Sequence, residues 1–198
     1  IQRWKNQPAD EVAGLYRARG DCFMNVGDAK SAYRDYDQAW KLLQQTNSAD
    51  DDSEYPTTLL GRARSGKAAG KATAAEDYKQ TLILLGDDEY DDEQSEPEKI
   101  EAGAVRNPFA AWEWGDALRQ SSEWEKAGTA HQLASKAFGT IGDRARSVIS
   151  LTDAGVDIAA TGDDSKAIPV LRKAIESTKG IRGRDVNLFQ RVLASEGE

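Results

Sequence analysis

The sequence predicts an all-α fold built from repeated helical units. Alanine is abundant, valine and isoleucine are sparse, and aromatic residues make up only 8% of the chain. That balance favours helices, because β-branched and aromatic residues are the ones that strands prefer. The second observation is a spacing of small residues that recurs along the chain, as internal repeats do.

This recurring spacing, which we call the 7-5-4-3 spacing after its steps, occurs three times. Its members are Gly20, Gly27, Ala32, Tyr36 and Ala39; Gly115, Ser122, Ala127, His131 and Ala134; and Gly155, Gly162, Ala167, Leu171 and Ala174. A fourth set, Gly61, Gly70, Ala75 and Tyr78, fits imperfectly around a glycine-rich turn between Lys67 and Lys71. Each set therefore predicts a helix, a short turn and a second helix.

The steps have a physical explanation. A small residue in the middle of the first helix lets the second helix pack against its backbone, and the next glycine or serine ends the first helix. The alanine five residues on marks the crossing point, and the large residue and alanine that follow it share its helical face. Each unit is thus a helical hairpin with a small-residue contact.

These hairpins resemble those of the tetratricopeptide repeat family. The resemblance is carried by RGDCFMNVGDAKSAYRDYDQA, WGDALRQSSEWEKAGTAHQLA and DAGVDIAATGDDSKAIPVLRKAI, while LLGRARSGKAAGKATAAEDYKQTL is similar to a degenerate member. It implies a right-handed α-solenoid of about four hairpins in a single domain, at residues 9–45, 56–85, 107–139 and 143–179. The family repeat is 34 residues, and the larger spacing of the anchor glycines here implies longer loops.

Two acidic insertions and a closing helix complete the predicted organisation. The insertions are residues 46–55 and 86–98, and the second carries eight carboxylates, which predicts a solvated loop. A helix over residues 185–195 is predicted from the apolar face of Val186, Leu188, Phe189, Val192 and Leu193. It would close the exposed end of the array.

Composition excludes several functional classes. The net charge of -8 argues against nucleic acid as the main partner, since phosphate binding requires a basic face. With one cysteine, Cys22, and one histidine, His131, no internal disulfide is possible and most histidine-based catalytic or metal sites are excluded. Cys22 is expected to be a small buried side chain and His131 a packed core residue. No apolar run reaches the roughly 18 residues of a transmembrane helix.

Three short motifs are better explained by structure than by ligand binding. The Ser65–Lys71 stretch has three residues between its glycines and no Ser or Thr after the lysine, so it is a turn and not a phosphate loop. The second acidic insertion, residues 86–98, lacks the ligand spacing of a calcium loop. Asn107-Pro108-Phe109, which matches a short docking motif, is expected to begin a helix. No cofactor and no metal site are predicted.

The resemblance implies which residues face a partner. In the family, the inner groove is lined by the position three residues before the anchor glycine and by the positions one and four after it. Carried over, these are Arg17, Asp21 and Met24; Thr58, Arg62 and Ser65; Trp112, Asp116 and Arg119; and Thr152, Val156 and Ala159, with Tyr55 and Phe109 one turn earlier. Arginine with aromatic residues is typical of interaction hot spots. The basic clamp that grips chaperone tails is absent, and an empty groove with binding elsewhere is the alternative.

The segment from Asn107 to Gly155 is similar to plastid tetratricopeptide proteins of plants and algae. This similarity implies a chloroplast protein with a leader removed before Ile1, and association with the thylakoid is the further expectation. We therefore expect a protein-interaction scaffold, not an enzyme, that serves as an accessory or assembly subunit of a larger complex such as a photosystem, peripheral to the membrane. The alternative is a soluble regulatory adaptor or co-chaperone-like factor. An enzyme would have to use Asp21, Asp116 and Arg119.

Overall fold

The computed structural model describes residues 8–46, 54–86, 105, 107–179 and 181. Within these residues the chain forms eight α-helices and no strand, which confirms the predicted all-α class. They are α1 (Ala9–Asn25), α2 (Ala29–Thr46), α3 (Glu54–Ala68), α4 (Ala74–Gly86), α5 (Pro108–Gln120), α6 (Trp124–Thr140), α7 (Arg144–Ala160) and α8 (Asp164–Thr178). The predicted closing helix at 185–195 lies outside the described residues, as does most of the two acidic insertions.

The chain divides into two compact units, Ile1–Leu84 and Leu85–Glu198, here called unit 1 and unit 2. In unit 1, α2 packs against both α1 and α3. In unit 2, α5 packs on α6, α6 on α7 and α7 on α8, so helices adjacent in sequence are neighbours in space. Local packing of this kind is what the repeated spacing predicts.

The core is made largely of alanine, with a few large side chains between. In unit 2, Trp114 and Phe138 are almost completely buried among alanines such as Ala127, Ala134 and Ala154. Methyl side chains at the helix contacts allow the axes to approach closely, since interaxial distance depends on the side chains there. The large rings then fill the remaining space.

Each large residue of the 7-5-4-3 spacing packs on the anchor glycine sixteen residues before it. A Cβ added at Gly115 would lie 2.4 Å from His131 Nε2, and one added at Gly155 would lie 2.5 Å from Leu171 Cδ2. The Tyr36 ring lies 3.1 Å from the Cβ position of Gly20. A Cβ at Gly115 or Gly155 would therefore force a displacement, whereas at Gly20 the Tyr36 ring would have to give by only a few tenths of an ångström.

The turns at the second position of the spacing have positive φ angles. Gly27, Gly70 and Gly162 have φ between 68° and 85°, and Ser122 has φ 61°. After α1, Asp28 N donates to Phe23 O and Gly27 N donates to Met24 O, the paired bonds of a Schellman motif. The glycine-rich stretch from Lys67 to Lys71 is such a turn, as predicted, because Lys71 N donates to Gly66 O.

The second helix pair follows a different register from the predicted one. Ala63, Gly70, Ala74, Tyr78 and Thr81 are the members that correspond to the other pairs, with steps of 7, 4, 4 and 3. Apart from the turn glycine Gly70, all of them are at most 3% exposed. The predicted anchor, Gly61, instead accommodates Tyr36 of α2, whose Cε1 lies 2.3 Å from the Cβ position. The register shifts because α4 begins at the crossing alanine, whereas α2 begins three residues before it.

Candidate functional site

A cavity of about 230 Å³ lies on the α1–α3 side of unit 1. Its lining comprises Arg17, Asp21, Met24, Tyr36, Thr57, Leu60, Gly61 and Arg64. The three predicted partner-facing residues of α1, Arg17, Asp21 and Met24, thus line one cavity. The volume is on the scale of one large side chain, and the lining mixes charged groups with an apolar floor. Such a cavity can accept a single side chain of another protein.

The charged groups of this cavity are held by neighbours. The Tyr36 hydroxyl donates a short hydrogen bond to the Asp21 carboxylate, and Arg17 Nη2 lies 3.0 Å from Glu54 Oε1 of α3. Burial, and next the bond to Asp21, raise the pKa of Tyr36 above its ordinary value, while Arg64 and Arg17 act in the opposite direction. The phenol is therefore a neutral, fixed donor at the cavity floor.

Arg62, predicted to face a partner, is instead part of the contact between α3 and α4. Its Nε and Nη2 atoms donate to the two carboxylate oxygens of Asp77 at 2.9 and 2.8 Å. The side chains of Arg62 and Asp77 are only 15% and 3% exposed. Burial raises the pKa of Asp77, and the Arg62 guanidinium opposes that shift. The prediction for Arg62 was wrong because Ala63, and not Gly61, is the anchor, which brings Arg64 to the cavity.

The same correction applies to the two other groove positions assigned to α3. Thr58 is 1% exposed and Ser65 is fully buried. The Ser65 hydroxyl donates to the carbonyl of Gly61, one turn earlier in its own helix. Neither side chain is available to a partner.

Unit 2 presents a second candidate surface along α5 and α7, here called the α5–α7 face. At one end, the Phe109 ring is 39% exposed and stacks edge-on against the buried Phe138, with 5.1 Å between centroids. The Arg146 guanidinium lies 4.9 Å above the Phe109 ring. The Trp112 ring also meets Phe138 edge-on, at 6.1 Å. Two aromatic rings and an arginine, side chains typical of interface hot spots, are therefore already in place.

Two side chains of α5 reach across to α7 on this face. Trp112 Nε1 donates to Asp153 Oδ2 at 3.0 Å, and Arg119 Nε donates to Asp157 Oδ1 at 2.7 Å. Arg119 Nη2 also lies 3.3 Å from Asp153 Oδ1. Charge-assisted bonds to the half-buried Asp153 and the buried Asp157 fix these side chains in position. The two predicted residues are therefore placed together, but their polar atoms are occupied within the unit.

Behind Arg119 lies a buried ionic network that includes the only histidine. His131 Nδ1 is 2.6 Å from Asp157 Oδ2, and Nε2 is 3.5 Å from Asp116 Oδ1. Burial is the largest influence on the pKa of His131 and lowers it, but Asp116, Asp157 and Asp153 together raise the pKa above 6.5. A protonated imidazole donates from Nδ1 to the buried Asp157 carboxylate, which pairs two groups that are costly to bury alone, while Nε2 forms no hydrogen bond.

This network is closed to solvent at its centre. His131 and Asp157 are both fully buried, which confirms the expectation of a core histidine. A substrate on the surface cannot reach the imidazole, so its geometry suits cross-linking of α5, α6 and α7 rather than proton transfer. Asp116 is half-buried beside it.

The outer positions of α7 are open. Val156 is 53% exposed, and Thr152, one turn earlier, is exposed as well. Asp153, which accepts from Trp112, lies between them in the sequence, one residue after Thr152 and three before Val156. We therefore include both exposed residues in the α5–α7 face.

Cys22 was wrongly predicted to be buried. Its side chain is exposed. It lies two residues after the buried Gly20, about 200° around α1 from the helix contact.

No group of three His, Cys, Asp or Glu side chains among the described residues has the arrangement of a metal site. Asn107 caps α5 by accepting from Ala110 N, and Pro108 occupies its first turn, so this motif begins a helix as expected.

No family model, curated protein or solved structure matches the chain. In the part of the chain that the structure describes, no helix combines the length and apolar character needed to cross a membrane.

Proposed function

We propose that the chain is a protein-interaction scaffold: a right-handed α-solenoid of tetratricopeptide-type hairpins whose binding surface includes the α5–α7 face. The observation that carries the proposal is the preformed arrangement of Phe109, Trp112 and Arg146 on α5 and α7, and α7 also carries the exposed Val156. The rings pack on buried Phe138, and a hydrogen bond to Asp153 fixes Trp112. Side chains that are ordered before binding lower the entropic cost of association.

The repeat assignment is supported by contacts that the spacing anticipates. In pairs one, three and four, a residue with no side chain meets the large residue sixteen positions later. Unit 1 adds an independent sign of repetition. Arg19 pairs with Asp35 through two hydrogen bonds, just as Arg62 pairs with Asp77. Each arginine directly precedes the anchor and each aspartate directly precedes the tyrosine, so both pairs occupy the same repeat positions.

The binding experiment compares variants at two exposed positions in different places. Val156→Arg places a charge on the α5–α7 face, and Lys136→Glu changes an exposed residue of α6 outside it. Each tagged full-length protein is expressed in the native source, and co-purifying chains are identified by mass spectrometry and their stoichiometry by light scattering. We expect one stoichiometric partner with wild type and Lys136→Glu, and at least a tenfold loss with Val156→Arg. Equal recovery with both variants contradicts the role of this face.

The scaffold proposal itself has a separate test in the same experiment. If wild-type protein recovered from native membranes and from the soluble fraction contains no stoichiometric partner, the chain is not a subunit of a stable complex. Thermal unfolding of both variants, followed by circular dichroism, controls for stability. Because Val156 is half-exposed, its substitution is expected to leave the midpoint almost unchanged.

We further propose a plastid location and a place as an accessory or assembly subunit of a membrane complex, on the sequence similarity of residues 107–155. Salt separates this proposal from the alternative of a soluble adaptor. Association through exposed acidic residues is screened at high ionic strength, whereas a surface of packed aromatic and aliphatic groups is not. A complex that persists in detergent at 0.5 M salt, roughly a Debye length of 4 Å, indicates a structural subunit.

A further inference from the structure

Helices α1, α2 and α3 of unit 1 have equivalent positions in α5, α6 and α7 of unit 2. Aligning the anchor Gly20 with Gly115, and the anchor Ala63 with Gly155, pairs the residues of the two sets of helices. Two contacts that join α2 to α3 recur between α6 and α7 at the paired positions: Trp40–Tyr55 as Ser135–Ser147, and Tyr33–Gly66 as Gly128–Ile158. The two units can therefore be compared residue by residue.

The cavity of unit 1 lies at the positions that hold the ionic network in unit 2. The Tyr36 hydroxyl donates to Asp21, and at the equivalent positions His131 Nε2 lies 3.5 Å from Asp116 Oδ1. Three further lining residues correspond to members of the network: Arg17 to Trp112, Met24 to Arg119 and Gly61 to Asp153. The cavity is therefore the counterpart of a region that side chains of the network fill in unit 2.

One carboxylate distinguishes the two regions. In unit 2, Asp153 accepts from Trp112 Nε1 at 3.0 Å, and Arg119 Nη2 lies 3.3 Å from the same carboxylate. Gly61, at the equivalent position in unit 1, has no side chain, and a Cβ there would collide with the Tyr36 ring. Because tyrosine stands in the place of the smaller imidazole, an aspartate does not fit at Gly61. Unit 1 therefore lacks the carboxylate to which the donors of unit 2 bind.

The lining of the cavity keeps cationic donors where that carboxylate is missing. Arg17 of α1 and Arg64 of α3 both line the cavity, and Asp21 is the one carboxylate among the lining residues. Glu54, which lies 3.0 Å from Arg17, is outside the lining. Burial raises the pKa of Tyr36, and the two guanidiniums act against that rise, so their positive potential reaches the cavity floor. The lining is therefore net cationic in a chain whose net charge is -8.

We propose that this cavity binds the carboxylate of a glutamate or aspartate side chain of a partner protein, in the position that the Asp153 carboxylate takes in unit 2. Arg17 and Arg64 donate to it, and such charge-assisted bonds are stronger than neutral ones. The aliphatic stem of the ligand side chain packs on Met24 and Leu60. A basic side chain would face two guanidiniums, and a purely apolar one would cover them without supplying an acceptor. The proposal rests on the scaffold function only in taking the partner to be a protein.

Peptide titration of the purified full-length protein tests this ligand chemistry. The probe is a short alanine–serine peptide with one internal glutamate and both ends blocked. The comparisons are its glutamine twin and an alanine–serine peptide with a free C-terminus. Binding is followed by nitrogen-15 nuclear magnetic resonance of backbone amides and arginine Nε groups.

With the glutamate peptide at millimolar concentration, we expect saturable shifts in residues 17–24 and 57–64. Both comparison peptides are expected to bind at least tenfold more weakly. A glutamate peptide that produces no saturable shift overturns the proposal, as does a glutamine twin that binds equally. Equal or tighter binding of the free C-terminus overturns it too, because the cavity then recognises chain ends and not an acidic side chain.

Two variants with the same change of charge separate the cavity from general electrostatic attraction. Arg64→Gln removes a guanidinium of the lining, and Lys30→Gln removes an exposed cation of α2 outside it. We expect Arg64→Gln to weaken binding of the glutamate peptide at least tenfold and Lys30→Gln to change it less than twofold. Equal losses would refute a specific site. Since the assay contains only protein and peptide, its outcome is independent of whether Val156→Arg releases the native partner, and the two proposals can fail separately.

A double variant gives unit 1 the side chains of unit 2. Tyr36→His combined with Gly61→Asp supplies an internal carboxylate, which is expected to take the place of the ligand. We expect at least a tenfold loss of peptide binding while the helical content, measured by circular dichroism, stays unchanged. A folded double variant that binds the peptide like wild type contradicts the assigned position of the carboxylate. If the double variant does not fold, the peptide comparisons and Arg64→Gln decide the proposal.

Discussion

Replacing Gly115 with alanine tests the central contact of unit 2. The new methyl carbon would lie 2.4 Å from His131 Nε2 and 2.5 Å from Cδ2, well inside van der Waals contact. The imidazole cannot move aside freely, because it is fully buried and Nδ1 is 2.6 Å from Asp157 Oδ2. The substitution must therefore displace either the ring or the helix.

The expected cost follows from three opposing contributions. Overpacking a well-filled contact costs about 1–3 kcal/mol. Weakening a hydrogen bond to a buried charged group costs about 1.5–3 kcal/mol. Alanine is favoured over glycine inside a helix by roughly 1 kcal/mol, which offsets part of this. We expect Gly115→Ala to lower the free energy of unfolding by about 2–4 kcal/mol.

The matched control is Gly139→Ala in α6 of the same unit. A Cβ there meets nothing nearer than Ser147 Oγ at 3.7 Å, which is ordinary contact. This variant is expected to be neutral or slightly stabilising, since only the helix preference remains. Urea unfolding followed by far-ultraviolet circular dichroism measures both, with the denaturant slope compared to confirm a common unfolding transition. If the free energies of unfolding of the two variants differ by less than about 0.5 kcal/mol, the usual range for a surface substitution, the glycine–histidine contact is refuted.

Three further predictions concern titration, ion pairing and capping. Because the folded-state pKa of His131 is raised, the protonated imidazole contributes to stability below pH 6.5, and this contribution is lost as pH rises through the folded-state pKa. Thermal unfolding midpoints measured between pH 5.5 and 9 should show this fall in the wild-type protein and lack it in His131→Leu. A midpoint that rises with pH would contradict the network. Arg62→Ala should lower the free energy of unfolding by about 3–5 kcal/mol by leaving buried Asp77 without its arginine, whereas Lys126→Ala, whose ion pair with Glu123 is exposed on both sides, should cost about 1 kcal/mol or less; equal losses would show that burial does not distinguish the pairs. Asn107→Ala should cost about 1 kcal/mol, measured by urea unfolding against Asn107→Ser, which can still cap and should restore most of it; no difference would contradict the cap.

The fold class could be predicted from the sequence because its determinants are local. A glycine in the middle of a helix is costly, so its repetition at a fixed distance from a turn and a large residue indicates close helix contact. The contacts of Gly20 with Tyr36 and of Gly155 with Leu171 follow directly from that reasoning. The separation of each glycine from its large partner in the sequence already places the two residues of a pair on facing helices.

The second pair shows where this reasoning fails. The sequence predicts Gly61 as the anchor because it is a glycine. Alanine is also small enough for the anchor position, and Ala63 occupies it. A better signal was present in the sequence. Arg19-Gly20 followed by Asp35-Tyr36 has a counterpart in Arg62-Ala63 followed by Asp77-Tyr78, and the repeated ion pair fixes the register. The repeated Arg–Asp pattern assigns Arg62 to the helix contact and Arg64 to the cavity.

The buried network could not be predicted from the sequence, because it joins three helices. Asp157 is a charged residue next to the exposed Val156, and nothing local indicates that it is completely buried. The Asp157 carboxylate can be buried because Arg119 of α5 and His131 of α6 both donate to it. A charge surrounded in this way depends on the tertiary arrangement of residues far apart in sequence.

The same carboxylates that secure the core also hold the proposed binding surface, and this determines how the surface can be studied. Asp153 accepts from Trp112 on the face and pairs with Arg119, while Asp157 pairs with Arg119 and with buried His131. Substituting Trp112 or Arg119 would therefore remove one of the two donors of a carboxylate and lower stability together with binding. Val156 has no part in the network and is half-exposed, so a loss of partner on its substitution reports the surface alone. A partner that binds wild type and Arg119→Lys equally, but not Val156→Arg, would show that the arginine positions the face without contacting the partner.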